Sequence, residues 1–208
     1  MTKAVQRVFD YLTAEAEAEP GAYEPLLVAP LTLADAVLEL IAREADHARA
    51  GRPARIVAKM NGLLEEKTIE ALYAASQAGV HIDLIVRGMC ALRPGVKGLS
   101  EKIHVRSIVG QYLEHSRIFD FENGGEPEIF CGSADWMTRN LYERCEVVFP
   151  VTDEKLAKRL REEILHSYLK DNVKARVLHA NGEYSRAERK GERFSAQEYF
   201  MGLAGEKI

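Results

Sequence analysis

Hydrophobic and polar residues alternate along the chain with two periods, one typical of helices and one typical of strands. Val5, Val8, Phe9 and Leu12 recur at helical spacing, which predicts an amphipathic helix in the first dozen residues. The run RIVAK at 55–59 and the run VHIDLIVR at 80–87 are rich in β-branched residues and predict strands. Further strands are predicted at 103–108, 116–122, 128–131 and 145–151, and further helices after Thr32 and at 65–78, 153–169 and 195–203. A short apolar run at 26–28 ends at Pro30.

The order of these elements predicts the fold class. A strand, a helix and a strand at 55–87 form a unit that normally has parallel strands, a right-handed crossover and ligands at the carboxyl ends of the strands. Arg87 lies at one of those ends. The turn Asn123-Gly124-Gly125 between two alternating runs predicts an antiparallel hairpin. Together they favour an α/β sandwich with a mixed sheet, flanking helices and one antiparallel hairpin.

Composition and charge narrow the function classes. The 208 residues are 47% hydrophobic and 29% charged, which excludes general disorder. The net charge of -4 provides no overall basic field for nucleic acid, so a polyanion must be held by a local cluster. No apolar run approaches the roughly 18 residues of a membrane-spanning helix, and the amino-terminal residues lack the pattern of a signal peptide. Three cysteines without CxxC spacing indicate a reducing, cytoplasmic compartment.

One cluster of polar residues surrounds the predicted hairpin. His115 and Arg117 would face the same side of a strand, and Gly132-Ser133 would end the returning strand opposite them. An arginine fork, a hydroxyl donor and an imidazole that titrates near pH 7 suit a phosphoryl group. Three further arginines could add positive charge at the same rim: Arg87, Arg139 and Arg144.

The other candidate residues favour ordinary structural roles. Lone histidines are most often surface or satisfied core residues, and five of the six histidines are interpreted in this way: His47, His81, His104, His166 and His179. The sequence has no HExxH, Walker or GxGxxG motif, so zinc hydrolases, P-loop kinases and dinucleotide enzymes lack their local signatures.

The cluster also resembles a known motif. His115-x-Arg117, an acid at Glu122 and Gly132-Ser133 are similar to the His-x-Lys, Asp, Gly-Ser motif of the phospholipase D-like fold. Arg117 stands in place of Lys, Glu122 in place of Asp, and Asp135 where that motif usually has Asn.

Four longer segments resemble one branch of that fold. KMNGLLEEKTIEALYAASQAGV, LIVRGMCALRPGV, SIVGQYLEHSRIFDFENGG and GSADWMTRN look very like the C-terminal half of the long-form bacterial polyphosphate kinases. The resemblance runs from about Leu26 to Arg176. It implies a phospholipase D-like α/β sandwich over residues 23–178, with an N-terminal helix and linker of a preceding domain at 1–22 and a charged tail at 179–208.

The resemblance also implies an activity and its partners. In that family the terminal phosphate of ATP is transferred reversibly to inorganic polyphosphate through a phosphohistidine and with magnesium, and ADP is the other nucleotide. The phosphohistidine and the magnesium ligands belong to the other half of the enzyme, so we expect this chain to be part of a longer polypeptide that forms a homo-oligomer. No nucleic-acid partner and no transmembrane segment are expected, and peripheral membrane association stays open for a cytoplasmic enzyme of this kind.

Site residues follow from the resemblance by position. Arg87 and His115 match nucleotide-binding positions, and His115 also matches a second active-site histidine that assists proton transfer. Three arginines match arginines near the path of the phosphate: Arg117, Arg139 and Arg144. Ser133, at the end of the returning strand, is a further candidate for binding phosphate.

Two alternatives remain from the residues themselves. The chain could be a homodimeric phospholipase D-like nuclease or phosphodiesterase in which two copies of His115 act as nucleophile and acid. It could also be a noncatalytic assembly module whose polar rim pairs charges at an interface.

Overall fold

The computed structural model describes residues 1–13, 21–189 and 191–205. Within these ranges, nine strands form one mixed sheet in the order β1-β7-β6-β5-β2-β3-β4-β8-β9. The strands are β1 (Leu27–Ala29), β2 (Arg55–Met60), β3 (His81–Val86), β4 (Ile103–Ile108), β5 (Arg117–Phe121), β6 (Glu128–Gly132), β7 (Glu146–Pro150), β8 (Ala175–Leu178) and β9 (Tyr184–Arg186).

Helices cover both faces of the sheet. The α-helices are α1 (Thr2–Leu12), α2 (Leu33–Arg49), α3 (Glu66–Ala78), α4 (Glu154–Lys158), α5 (His166–Lys170) and α6 (Ala196–Gly205). A π-helical stretch, Arg159–Leu165, joins α4 to α5, and a π-helical turn, Arg139–Glu143, precedes β7.

Alternation along β2 separates two hydrophobic cores. Ile56 and Ala58 belong to the core that α2 and α3 cover, and Val57 belongs to the core beneath α5 and α6. This arrangement follows from the period of two in a strand, and it confirms the predicted sandwich.

The central unit has the predicted topology. β2 and β3 pair in parallel from Arg55↔His81 to Met60↔Val86, and α3 connects them. The carboxylate of Glu65 caps α3 by accepting hydrogen bonds from the main-chain N–H groups of Lys67 and Thr68. Gly79 ends the helix with a φ of 111°, a conformation that favours glycine.

The predicted hairpin is present, and the sheet continues beyond it. β5 and β6 pair antiparallel, with Arg117 opposite Gly132. The sequence analysis missed β8 and β9, which form a second antiparallel pair. Strands of four and three residues carry little hydrophobic signal, so the sequence pattern did not predict this pair. Residues 14–20 of the helix and linker predicted at 1–22 lie outside the described residues.

Strand directions define two edges of the sheet. The carboxyl ends of β2, β3 and β6 and the amino ends of β5 and β7 share one edge, here called the carboxyl edge. The amino ends of β2, β3 and β4 and the carboxyl end of β5 share the opposite edge, here called the amino edge. None of the described helices is long and apolar enough to cross a bilayer.

Candidate functional site

The two nucleotide-site residues of the sequence analysis lie at the carboxyl edge. Arg87 directly follows β3 and is half-buried, with its main-chain carbonyl accepting a hydrogen bond from Ser107 Oγ at 3.1 Å. His115 is exposed and precedes β5 by two residues. The expectation that His115 and Arg117 face the same side of one strand is wrong in its premise, because the strand begins only at Arg117.

Arg117 is tied into the scaffold by a bidentate ion pair. Its Nη2 lies 2.8 Å from Asp135 Oδ2, and its Nε donates to Asp135 Oδ1 at 3.2 Å. The remaining arm, Nη1, donates to the main-chain carbonyl of His115 at 2.7 Å. Asp135 is buried and also accepts from the main-chain N–H of Asn61 at 2.6 Å. Arg117 therefore holds the backbone at His115, and its charge is balanced by Asp135.

This ion pair explains two departures from the phospholipase D-like motif together. A planar guanidinium at 117 matches a carboxylate at 135 through two parallel hydrogen bonds, which a lysine and an asparagine could not form. Arg117 and Asp135 therefore depart from the motif as a pair, because each is the hydrogen-bond partner of the other.

Lys59 is a buried cation of this edge that the sequence analysis missed. Its side chain is 2% exposed, and Nζ donates to the main-chain carbonyl of Ser116 at 3.2 Å. Nζ also lies 3.6 Å from Glu114 Oε2 and 4.7 Å from the ring centre of Tyr168. Lys59 therefore contacts the residues on both sides of His115.

Burial lowers the pKa of Lys59 to about 8. The charges of Arg87 and Arg117 lower this pKa further, whereas Glu114 acts in the opposite direction. Lys59 thus lies within electrostatic reach of both arginines. The sequence did contain a signal for Lys59, because this lysine lies among apolar residues in the strand RIVAKM, and lysine is seldom buried.

Glu114 connects the contacts of Lys59 to the core beneath α5 and α6. It accepts hydrogen bonds from the hydroxyl of Tyr168 and, at 2.9 Å, from Gln197 Nε2 on α6. Burial, followed by the bond to Glu114, raises the pKa of the Tyr168 hydroxyl, so this group stays protonated and donates. The position of His115 therefore depends on residues far along the chain.

The other predicted site residues lie in the segment between β6 and β7: Ser133, Arg139 and Arg144. Ser133 Oγ accepts a hydrogen bond from the main-chain N–H of Val147 at 3.2 Å. Ser133 and Arg117 line the same cavity of about 490 Å³. Arg139 is exposed on the π-helical turn, and Arg144 Nη1 lies 3.8 Å from Glu146 Oε1.

The charges of the carboxyl edge fall into two groups. Three cations have carboxylate partners in the chain: Lys59 with Glu114, Arg117 with Asp135, and Arg144 with Glu146. Within the described residues, the side chains of Arg87, His115 and Arg139 have no hydrogen-bond or ion-pair partner. These three groups are therefore available to an anionic ligand.

Glu122 does not belong to this cluster. It follows the far end of β5, about 17 Å along the strand from Arg117. Its main-chain N–H donates to the carbonyl of Arg55 at 3.0 Å, at the amino edge. The acid of the motif therefore lies too far away for proton transfer with His115.

The carboxyl edge does not fit a magnesium ion. Magnesium prefers several oxygen ligands in octahedral geometry, but Glu114, Asp135 and Glu146 are each bound to a cation of the chain. Among the described residues, no group of three metal-ligating side chains lies at this edge.

Comparison with known proteins places this geometry in a family. The profile of the family "Polyphosphate kinase C-terminal domain 2" matches residues 26–197. The chain belongs to this family. The polyphosphate kinase C-terminal domain 2 therefore contains the carboxyl edge together with α2 to α5.

Relatives of this domain agree with the assignment. A polyphosphate kinase of Xylella fastidiosa is 58% identical over 161 residues, which are 77% of this chain and 23% of that protein. A polyphosphate kinase of Neisseria meningitidis serogroup C is 54% identical over 169 residues, covering 81% of this chain and 25% of that protein. The chain thus spans about a quarter of the length of these relatives.

Solved structures extend the comparison to the fold. The crystal structure of polyphosphate kinase from Porphyromonas gingivalis has a TM-score of 0.89 at 40% identity and covers 98% of this chain and 31% of that chain. Nuc, a phospholipase D family member from Salmonella typhimurium, has a TM-score of 0.53 at 16% identity over 74% of this chain and 96% of that chain. The likeness to Nuc shows a shared phospholipase D-like fold.

Proposed function

We propose that this chain forms the nucleotide- and phosphate-binding half of a polyphosphate kinase site. In this proposal ATP donates its terminal phosphate to inorganic polyphosphate, reversibly, with ADP as the product. The observation that carries the proposal is the set of unpartnered cationic or titratable groups at the carboxyl edge, Arg87, Arg139 and His115, beside three cations that are already paired.

The side chains divide into ligand-binding and positioning groups. Arg87 and Arg139 offer guanidinium forks that bind two phosphate oxygens each and neutralise charge on the transferred group. His115 holds or donates a proton to a phosphate oxygen near pH 7. Lys59 and Arg117 position His115 through the neighbouring main-chain carbonyls.

Phosphoryl transfer through a phosphohistidine requires a nucleophile in addition to these groups. A single histidine at the carboxyl edge cannot be both the phosphorylated residue and the proton donor to the same phosphate. The nucleophile therefore comes from another part of the enzyme, and the magnesium ligands come from there as well. No step assigned to this chain uses magnesium.

Exposed apolar residues near Arg87 and His115 support the proposal that another part of the enzyme covers this surface. Met89, Val109 and Leu113 are 63%, 64% and 76% exposed. They lie in the loops that follow β3 and precede β5, next to the proposed binding groups. Apolar side chains of this size at a polar rim mark surfaces that another protein segment covers. We propose that the other half of the enzyme covers them.

The nuclease alternative has less support. A phospholipase D-like nuclease would use the cation two residues after His115 on the substrate phosphate, but Arg117 is occupied by Asp135. The likeness to Nuc concerns the fold alone. A pure assembly module makes a different prediction: Arg87→Ala and His115→Ala would leave phosphate-ligand binding unaltered and change the oligomeric state.

Calorimetric titration of the 208-residue chain with ATP tests the proposal. We expect saturable binding that Arg87→Ala and His115→Ala each weaken by about tenfold or more, since a hydrogen bond to a charged group contributes about 1.5–3 kcal/mol. Arg52→Ala and His166→Ala are matched controls, because both residues are exposed, Arg52 before β2 at the amino edge and His166 on α5. Inorganic polyphosphate serves as the second ligand.

The outcomes separate the hypotheses. Binding that the control variants weaken as much as the site variants would contradict the proposal. Absence of binding by the chain alone, continuing after addition of the other half of the enzyme, would also contradict it. Metal-independent cleavage of a model phosphodiester that His115→Ala abolishes would support the nuclease instead.

A further inference from the structure

Two histidines and an aspartate meet at the amino edge, on the opposite side of the sheet from the proposed phosphate site. His81 and Asp83 lie two residues apart on β3 and therefore face the same side of the sheet. Asp83 is paired with His104 on the parallel strand β4, so these side chains are direct neighbours. Sheet geometry alone thus brings three potential ligands together.

The distances between the side-chain atoms fit a compact ligand set. One ligand atom from each of the three residues can be chosen so that all lie within 4.8 Å of one another. His81 Nε2 lies 3.3 Å from Asp83 Oδ2, and His104 Nδ1 lies 3.9 Å from Asp83 Oδ1. Ligand atoms around a tetrahedral zinc ion are about 3.4 Å apart. Small rotations of exposed side chains therefore suffice to close the set.

We propose that His81, Asp83 and His104 form a binding site for a divalent transition-metal ion of the zinc class. Two imidazole nitrogens and one carboxylate oxygen are a ligand set that zinc and similar ions prefer, whereas magnesium and calcium prefer oxygen ligands. Three protein ligands leave a fourth position for water. Within the described residues, this is the one group of three or more His, Cys, Asp or Glu side chains with such spacing.

Two cations near Asp83 oppose metal binding and must be considered. Arg55 Nη2 lies 2.7 Å from Asp83 Oδ2, and the Arg55 side chain is 46% exposed. An ion pair of this exposure contributes little and breaks easily. Arg106 also lies within electrostatic reach of Asp83, but its guanidinium donates to the main-chain carbonyls of Tyr168 and Leu169. Arg55 is therefore the direct competitor of a metal ion.

The site would link β3 to β4 without touching the carboxyl edge. A metal ion that binds only the folded chain stabilises it in proportion to the logarithm of its concentration. The proposal concerns residues that take no part in the proposed phosphate site, so the two can fail independently.

Calorimetry with zinc chloride on the metal-free 208-residue chain tests the site. We expect one zinc ion per chain, and His81→Ala or His104→Ala should each weaken binding by about tenfold or more. His166→Ala is the matched control, because His166 is exposed on α5 and belongs to no such group. Arg55→Ala should tighten zinc binding by about two- to fivefold, since it removes the competing cation.

Cobalt(II) provides a second readout of the same ligands. We expect the parent chain to bind cobalt(II) and to show the visible absorption bands of a four-coordinate cobalt site. These bands should be lost in the His81→Ala/His104→Ala double variant. Both imidazoles are half exposed, and circular dichroism verifies that the variant is folded. Zinc binding by the double variant equal to that of the parent chain, or no stoichiometric binding by the parent chain, would overturn the proposal.

Discussion

The two edges of the sheet use charged residues in different ways. At the amino edge, the fully buried Glu44 is held by main-chain N–H groups, those of Arg55 at 3.0 Å and Asn123 at 2.7 Å. At the carboxyl edge, the buried Asp135 binds the guanidinium of Arg117 as well as a main-chain N–H group. Main-chain donors alone position the carboxylate of Glu44, whereas the carboxylate of Asp135 also neutralises the charge of Arg117.

This difference explains how a chain of net charge -4 can offer a site to a polyanion. At the carboxyl edge, Lys59, Arg117 and Arg144 are paired with carboxylates, whereas Arg87 and Arg139 have no such partner in the described chain. Local excess, rather than overall charge, then attracts phosphate. Whether the arginines of an edge are already paired with carboxylates is therefore as informative about phosphate binding as the number of arginines there.

The largest expected effect is the loss of the buried carboxylate at the carboxyl edge. Asp135→Ala leaves the guanidinium of Arg117, whose side chain is 11% exposed, without its partner. We expect the free energy of unfolding to fall by about 3–5 kcal/mol, as measured by urea denaturation. Glu128→Ala, which breaks a half-buried ion pair with Arg43 at the amino edge, should cost less, about 1 kcal/mol, because solvent still screens this pair. Equal losses in the two variants would remove the contrast between the edges.

The second prediction concerns the pH dependence of stability that Lys59 causes. Its pKa is about 8 in the folded chain and near 10.5 in the unfolded chain, so the unfolded state binds more protons between these values. Stability due to this group therefore rises with pH above about 8 and is lower below it. Relative to Lys59→Met, the parent chain should gain about 2 kcal/mol between pH 7 and pH 9.5. Parallel pH profiles of the two proteins would show that Lys59 is not held as described.

The third prediction separates free from paired arginines. Arg139→Ala should weaken ATP or polyphosphate binding about tenfold, because this guanidinium is available to phosphate oxygens. Arg144→Ala should have a smaller effect, since Glu146 already takes part of its charge. Titration calorimetry of both variants measures the difference. A larger effect of Arg144→Ala would assign the phosphate path to the paired arginine.

The smallest expected effect is at the amino edge. Arg55→Ala removes an exposed contact with Asp83 and should change the free energy of unfolding by less than about 1 kcal/mol. Urea denaturation without added metal measures this change. A loss of several kcal/mol would mean that the amino edge depends on its ion pairs as strongly as the carboxyl edge.

Much of the fold could be predicted from the sequence because its strong patterns are local. The strand at 103–108 matches β4. The helix predicted from residue 153 begins as α4, and Asp153 caps it by accepting a hydrogen bond from the main-chain N–H of Leu156 at 2.9 Å. Thr32 does precede α2, but its hydroxyl accepts from the main-chain N–H of Val28 instead of capping the helix. β8 and β9 were missed because they are short and amphipathic only weakly.

The candidate site was predictable as a set of residues but not as a set of partners. Arg87, His115 and Arg139 emerged from motif and position, whereas the pairing of Arg117 with Asp135 joins residues 18 positions apart. The bond between Tyr168 and Glu114 spans 54 positions. Such contacts depend on tertiary packing, which hydrophobic periodicity does not encode. The same reason hid the meeting of His81 and His104, which the sequence analysis treated as separate surface or core residues.

The central claim is that anionic ligands bind at the carboxyl edge and not at the amino edge. Two-dimensional nuclear magnetic resonance of the ¹⁵N-labelled chain, titrated with ATP, tests it most directly. We predict saturable shifts of the main-chain N–H signals of Arg87, His115 and Arg139, with those of Arg55 and Asp83 unchanged. Shifts confined to the amino edge, or saturable binding that leaves the three carboxyl-edge signals in place, would contradict the account.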